Sequence, residues 1–252
     1  MENTQNGIDR RKFLTGLGLS TAALVSGFGT GCSKTSMPFS GGIRIGDKST
    51  ENLYPIYKDG QYEVKDFSRL LGDQNLGLSK ANLENHLGLY KKYVLKVNAA
   101  EKNLKEGFVD DATLKNLAFS LNGMALHDIY FTNMNSEKSA PSKALKKAIK
   151  NSFGSWEAYM KNLIEIASKV DGWSITGVNL LNGQILNYGE DTHSSNFPNY
   201  VLPILALDVY EHAYTIDFGA EGKNKYLGIY PNIIDWDVVS LRFDKIKSKF
   251  AA

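Results

Sequence analysis

Along residues 79–98 the apolar positions Leu83, Leu87, Tyr90, Val94 and Val97 recur at spacings of three and four, the repeat of one helical face. Ser79 stands where an N-cap belongs, with a hydroxyl able to accept from a first-turn amide. The charged residues Lys80, Glu84, Lys91, Lys92 and Lys96 fall mostly off that face, whereas His86 falls in its middle. A second stripe, Leu114, Leu117, Leu121, Met124 and Phe131, predicts a helix from about Asp111 to Asn133 and again turns an imidazole inward, His127. Asn133 to Pro141, rich in Asn and Ser, then predicts a loop and a domain boundary.

Beyond that loop the period changes. Ser142–Lys150 and Ser155–Lys169 are amphipathic helices separated by Ser152-Phe153-Gly154-Ser155. Gly172–Asn179 and Gln184–Tyr188 predict a β-hairpin around Asn182-Gly183, a favoured two-residue turn. A third strand follows at 201–209, bounded by Pro203, and helices at 211–217 and 232–249 complete the chain. A helical first half and a mixed second half make an α+β fold: an N-terminal helical hairpin, then a three-stranded antiparallel sheet flanked by helices. The predicted limits are 53–137 for the hairpin domain and 138–252 for the C-terminal domain. No internal repeat is evident.

The 252 residues carry a formal net charge of +2. No basic stripe accompanies it, so nucleic acid is not an expected partner. The N-terminus departs from the globular pattern. Arg10-Arg11-Lys12 precede an uncharged run, Phe13 to Gly31, rich in Gly, Leu and Ala; residues 1–31 therefore read as an export signal of twin-arginine type. Cys32 is the single cysteine and cannot form an intramolecular disulfide. Small residues precede it at the end of the apolar run, as at a bacterial lipoprotein cleavage site, so Cys32 is the expected lipidated residue. Residues 32–52 then form a tether, and the expected location is the cell envelope, periplasmic and lipid-anchored. Cleavage removes Arg10, Arg11 and Lys12 against Glu2 and Asp9, leaving 26 basic and 25 acidic groups. Twin-arginine export carries folded cargo, which favours a protein that receives its metal before translocation.

The apolar run Leu202–Leu207 ends in Asp208, Glu211 and His212. A buried strand-end carboxylate is costly unless a positive group answers it. The chain has four histidines, His86, His127, His193 and His212. Three imidazoles and one carboxylate leave an open position on a first-row ion, a set that suits iron or manganese better than a closed structural zinc.

These residues carry a resemblance. From about residue 77 onward the chain resembles the iron/manganese superoxide dismutase family. Asp208-Val209-Tyr210-Glu211-His212-Ala213-Tyr214 is similar to that family's D-x-W-E-H-x-Y signature, and Ser152-Phe153-Gly154-Ser155, Gly172-Trp173, Tyr226-Leu227 and Asp235-Trp236 occur in the family's order. The resemblance implies His86, His127, Asp208 and His212 as ligands of one Fe or Mn ion with solvent in the fifth position. It implies superoxide as substrate, converted to oxygen and hydrogen peroxide. It also implies a homodimer in which Glu211 contacts the partner.

Several positions depart from the family pattern. The gateway Tyr expected eight residues after the first ligand is represented by Tyr93, seven after His86, a register change of about 100°. Tyr90 stands where the family has a His, and Thr215 where it has a Tyr that crosses the dimer. Tyr210 and Phe131 replace Trp residues of the metal-site wall. His193 falls near a solvent-bonding Gln position, and the family's other Gln position is Gly123; Tyr93 and His193 are accordingly the candidate catalytic residues. Gly123 points to manganese and Tyr130 to iron, so the metal stays open. The altered gateway motivates a second reading, a non-catalytic metal- or partner-binding protein on this fold. A two-His-one-carboxylate oxygenase fits poorly, because no H-x-D or H-x-E pair exists in the chain.

Overall fold

The computed structural model describes residues 53–250; the expected export signal, Cys32 and the tether lie outside the described residues. Helix α1 spans Lys80–Lys105 and starts where Ser79 accepts from the Asn82 amide. Helix α2 spans Asp111–Thr132 and is capped in the same way by Asp110, which accepts from Thr113. The two run as a hairpin and bury Leu83, Val94, Val97, Met124 and Ile129 between themselves and the rest of the core. Helices α3 (Lys143–Phe153) and α4 (Trp156–Lys169) follow, with Ser142 and Ser155 as their caps.

Strands β3 (Trp173–Asn179), β4 (Ile185–Glu190) and β5 (Val201–Asp208) form an antiparallel sheet in the order β4-β3-β5. The hairpin connection is longer than the predicted two-residue turn. Asn179 still pairs with Gln184, and a loop over 180–183 closes where the Gly183 amide donates to the Asn179 carbonyl at 2.7 Å, with Gly183 at φ 70°. Pairing between β3 and β5 slips between Thr176 and Gly177, leaving Ile204 as the extra residue beside Pro203. Pro cannot donate to a ladder and belongs at such a bulge. The Ile204 carbonyl accepts instead from buried Arg242 at 2.7 Å.

Helices α5 (Glu211–Phe218), α6 (Lys223–Ile229) and α7 (Trp236–Phe250) close the fold. The sequence pattern carried no signal for α6, seven residues interrupted by Gly228. It predicted the last helix from 232, but Pro231 sits in a separate short turn and Asp235 caps α7 by accepting from Val238. A two-stranded ribbon, β1 (Tyr57–Lys58) with β2 (Gln61–Tyr62), lies against α1, where Asn98 bonds both the amide and the carbonyl of Tyr62. One apolar cluster runs from Leu83 and Met124 through Trp173 and Ile175 to Leu205 and Phe243. The hairpin therefore packs directly on the sheet, and β5 ends inside that packing.

Candidate metal centre

Four elements converge where β5 ends. His86 comes from the middle of α1, His127 from α2, Asp208 from the last position of β5, and His212 from the first turn of α5. His86, His127 and Asp208 are completely buried. Their placement follows from ordinary local rules: His86 and His127 lie on the buried faces of their helices, and the strand must end at Asp208 for α5, with His212 in its first turn, to begin. Asp208 also secures that junction, since its Oδ1 accepts from the Tyr210 amide at 3.0 Å.

Three imidazole nitrogens gather on the other carboxylate oxygen. Asp208 Oδ2 lies 3.0 Å from His86 Nε2, 3.2 Å from His212 Nε2 and 3.4 Å from His127 Nε2. One ligand atom from each of the four residues falls within 4.8 Å of the others. Donors about 2.1 Å from a single first-row ion lie about 3 Å apart when adjacent and about 4 Å apart when opposed, so the observed spacing fits one ion. His127 supplies the sharper test. Its Nδ1 lies 2.6 Å from the Gly123 carbonyl, which can only accept, so the proton sits on Nδ1 and the Nε2 lone pair faces the cluster. That buried Nε2 has no hydrogen-bond partner. An enclosed acceptor with nothing to accept is costly in a protein interior, and a metal ion bound among the four residues would satisfy it.

The electrostatics agree with a cation site. Burial pushes His127 well below the ordinary imidazole range and lowers His86, keeping both rings neutral and able to ligate. Burial would raise Asp208, but His212 and His86 outweigh it and hold the carboxyl well below its usual range. His212 is raised, because the Asp208 charge overcomes the effect of burial. An aromatic wall surrounds the four. His127 meets Trp173 edge to face at 5.0 Å, Tyr210 stacks on His212 at 5.2 Å, and His86 lies against Tyr130 and Phe131.

The two remaining candidates come together beside this cluster. His193 Nε2 lies 2.9 Å from the Tyr93 hydroxyl, and the Trp173 indole N–H donates to His193 Nδ1 at 2.9 Å. An indole can only donate, so Nδ1 accepts and the proton of neutral His193 is on Nε2, pointing at Tyr93. Burial lowers His193 to about 4. The Tyr93 ring is 5.1 Å from that of His127. A spacing of seven residues advances about 700°, some 20° short of two full turns, so the register of an unbroken helix brings Tyr93 to the His86 face.

Tyr90 takes a different place. Its hydroxyl donates to Asp128 Oδ2 at 3.3 Å and accepts from the Lys65 amide, beside a buried Lys65–Asp128 ion pair of 2.7 Å. Glu211 is exposed in the first turn of α5, and Thr215 is half-buried four residues on; Cys32 lies outside the described residues.

Sequence reasoning missed two participants. Trp173 stood out as half of a Gly-Trp pair, but nothing marked its indole as the group that fixes His193. Gly123 stood out as an altered position, and its steric role emerges from packing. A Cβ there would lie 3.0 Å from Tyr93 Cδ1 and 3.1 Å from His193 Cδ2, so the absence of a side chain makes room for both rings.

Comparison with known proteins gives a consistent result. Residues 141–242 match the family described as iron/manganese superoxide dismutases, C-terminal domain. The chain is 32% identical over 200 residues to the iron superoxide dismutase of Aquifex pyrophilus, covering 72% of this chain and 92% of that protein. It is 31% identical over 168 residues to manganese superoxide dismutase 2 of Haloferax volcanii, covering 64% and 84%. It is 30% identical over 174 residues to the manganese superoxide dismutase of Mycolicibacterium smegmatis, covering 66% and 84%.

Proposed function

Because this chain belongs to the iron/manganese superoxide dismutase family, we propose that it converts superoxide to oxygen and hydrogen peroxide at the cluster of His86, His127, Asp208 and His212, using one iron or manganese ion. The observation that carries this reading is the enclosed lone pair of His127 Nε2 facing a single carboxylate oxygen shared with two further imidazoles. Held by His86, His127, Asp208 and His212, the ion would supply the one-electron redox chemistry that dismutation needs.

The chain's own residues do the rest. The Gly123 carbonyl fixes the tautomer and ring plane of His127, and the Tyr210 amide fixes the Asp208 carboxylate; partners of this kind set ligand orientation and basicity. Asp208 contributes one negative charge against three neutral imidazoles, which favours the more oxidised ion. Trp173, Tyr130, Phe131 and Tyr210 exclude bulk water from the ligand atoms. Tyr93 is half-buried and holds a proton at its hydroxyl, supported by His193 Nε2–H, where a small anion entering from solvent can meet it. This Tyr93–His193 pair supports turnover over the non-catalytic reading, whose motive was an altered gateway.

The same proposal extends to the cell. The paired arginines and the uncharged run support export by a twin-arginine signal, and the small residues before Cys32 support a lipid anchor on that residue, holding the domain at a periplasmic membrane surface. The exposed Glu211 supports a homodimer through the start of α5. Elemental analysis and superoxide dismutation measured on one purified sample test the reaction. About one iron or manganese per chain with rapid turnover is expected; full metal without turnover would overturn the catalytic reading in favour of a binding protein. Cys32→Ser should move the protein from the membrane fraction to the soluble one, and unchanged fractionation would refute the anchor.

A further inference from the structure

One buried acid takes no part in the site described above. Glu190 ends β4, is completely buried, and leaves both carboxylate oxygens without a protein partner. Its position is specific. Glu190 is paired across the ladder with Trp173, and Trp173 with Asp208, so the three form one row over the sheet. Residues directly opposite in a ladder share a face. Glu190 is therefore on the metal-site face, two strands from Asp208, with Trp173 between them.

Two hydroxyls accompany it. Tyr188, two residues earlier on the same face of β4, and Tyr210, whose ring lies 6.3 Å from Trp173 and 5.0 Å from His193, both have buried hydroxyls without a partner, and Tyr188 is raised by burial and then by the Glu190 charge. These are the titratable groups that couple to Glu190. Among the described residues no cation answers it, and burial alone lifts its carboxyl to about 7. Enclosed oxygens of this kind are normally joined by internal water, which also carries protons between them.

We propose that Glu190 is a proton-holding residue of the dismutation reaction, passing its proton through the Tyr210 hydroxyl toward the site and recovering one from solvent through Tyr188. Reducing superoxide to hydrogen peroxide takes one electron and two protons. Glu190 provides one of the two from its Oε–H; the hydroxyl on the way accepts a proton as it gives one and does not change charge. Tyr188 is half-buried, under the exposed ring of Phe197 at 6.4 Å, which places the recharging end toward the surface and the Tyr210 end toward Tyr93 and His193. A carboxyl here explains why an acid stands in a strand whose neighbouring positions are otherwise apolar or neutral.

The inference rests on the dismutase reading, and its test separates the two. Glu190→Gln keeps the volume and removes the exchangeable acid; metal content and thermal stability check that the variant folds. In the metal-loaded wild type, infrared spectroscopy should find a protonated carboxyl that titrates away near neutral pH and is absent from the variant. Dismutation by the variant at about pH 6 should be about tenfold slower, short of the ~100-fold of an acid acting directly, and the difference should vanish at about pH 8.5, where wild-type Glu190 has no proton to give. Glu190→Asp should recover part of the loss. Equal rates at low pH, a variant faster than wild type at high pH, or the lack of a titrating carboxyl band would each overturn the proposal. A wild type that binds metal without dismutating superoxide would instead defeat the dismutase reading while leaving the infrared result standing.

Discussion

Gly123→Ala tests whether the space between Tyr93 and His193 is functional. In the interior of α2 alanine is favoured over glycine by about 1 kcal/mol, so a position with slack would gain stability. The added methyl would lie 3.0 Å and 3.1 Å from two Tyr93 ring carbons and 3.1 Å from a His193 ring carbon, against about 3.5–4.0 Å for a relaxed carbon contact. Both rings must therefore retreat by about half an ångström. Neither can move freely. His193 is held by the Trp173 indole at 2.9 Å and by Asn122 on its carbonyl at 2.6 Å, and Phe119 packs against both rings at 4.7 Å and 6.0 Å. Overpacking of this kind costs about 1–3 kcal/mol, which leaves a net loss of about 0–2 kcal/mol, or at most about 8 °C in Tm for a domain of this size. The effect on turnover should be larger in proportion. A misplacement of about 1 Å near reacting groups can cost about 100-fold, so half of that predicts roughly a tenfold loss. Scanning calorimetry, elemental analysis and stopped-flow dismutation on the same preparation measure all three quantities. Unchanged metal, a small Tm change and slow turnover are expected. A variant stabilised by the full helix-propensity gain and as active as wild type would refute the reasoning, because it would mean that the rings have room.

Other substitutions separate ligation, proton handling and stability. His127→Ala should abolish metal binding and dismutation together, read by elemental analysis; retained stoichiometric metal would remove His127 from the ligand set. Tyr93→Phe should leave metal content unchanged and slow turnover, since the ring stays and the hydroxyl facing His193 goes; full activity would count against Tyr93 as the gateway group. Asp128→Ala takes the carboxylate from Lys65, whose side chain is 4% exposed. Breaking a buried ion pair from one side costs about 3–5 kcal/mol, so Tm should fall by about 6–20 °C while activity per bound metal holds. A loss below about 1 kcal/mol would show that Lys65 finds water.

How much of this was legible in the sequence depends on the range of each signal. The long helices were legible because periodicity over twenty residues repeats its evidence, and the four residues of the candidate metal cluster because His86 and His127 interrupted apolar helix faces while Asp208 and His212 followed an apolar strand. The ribbon at 57–62 and helix α6 are too short for a period to develop, and tertiary contact with α1 and with α5 holds them in place. The Lys65–Asp128–Tyr90 group joins residues far apart in the chain, and nothing local in either helix marks the pairing. Tyr93 is the instructive case. Counting against the family spacing placed it about 100° away from the site, whereas turn arithmetic from His86 along an unbroken helix brings it back. Measured from the family's helix Tyr93 is one residue out of register, and measured from His86 along this chain's own helix it is in place. The same holds for Gly123 and His193. Against the family each is an altered position; within this fold the space that one leaves, the other and Tyr93 occupy, and the indole of Trp173 fixes the outcome. A substitution in a packed site is thus interpretable once the volume it vacates and the group that enters it are known together, and that pairing is a property of the folded chain.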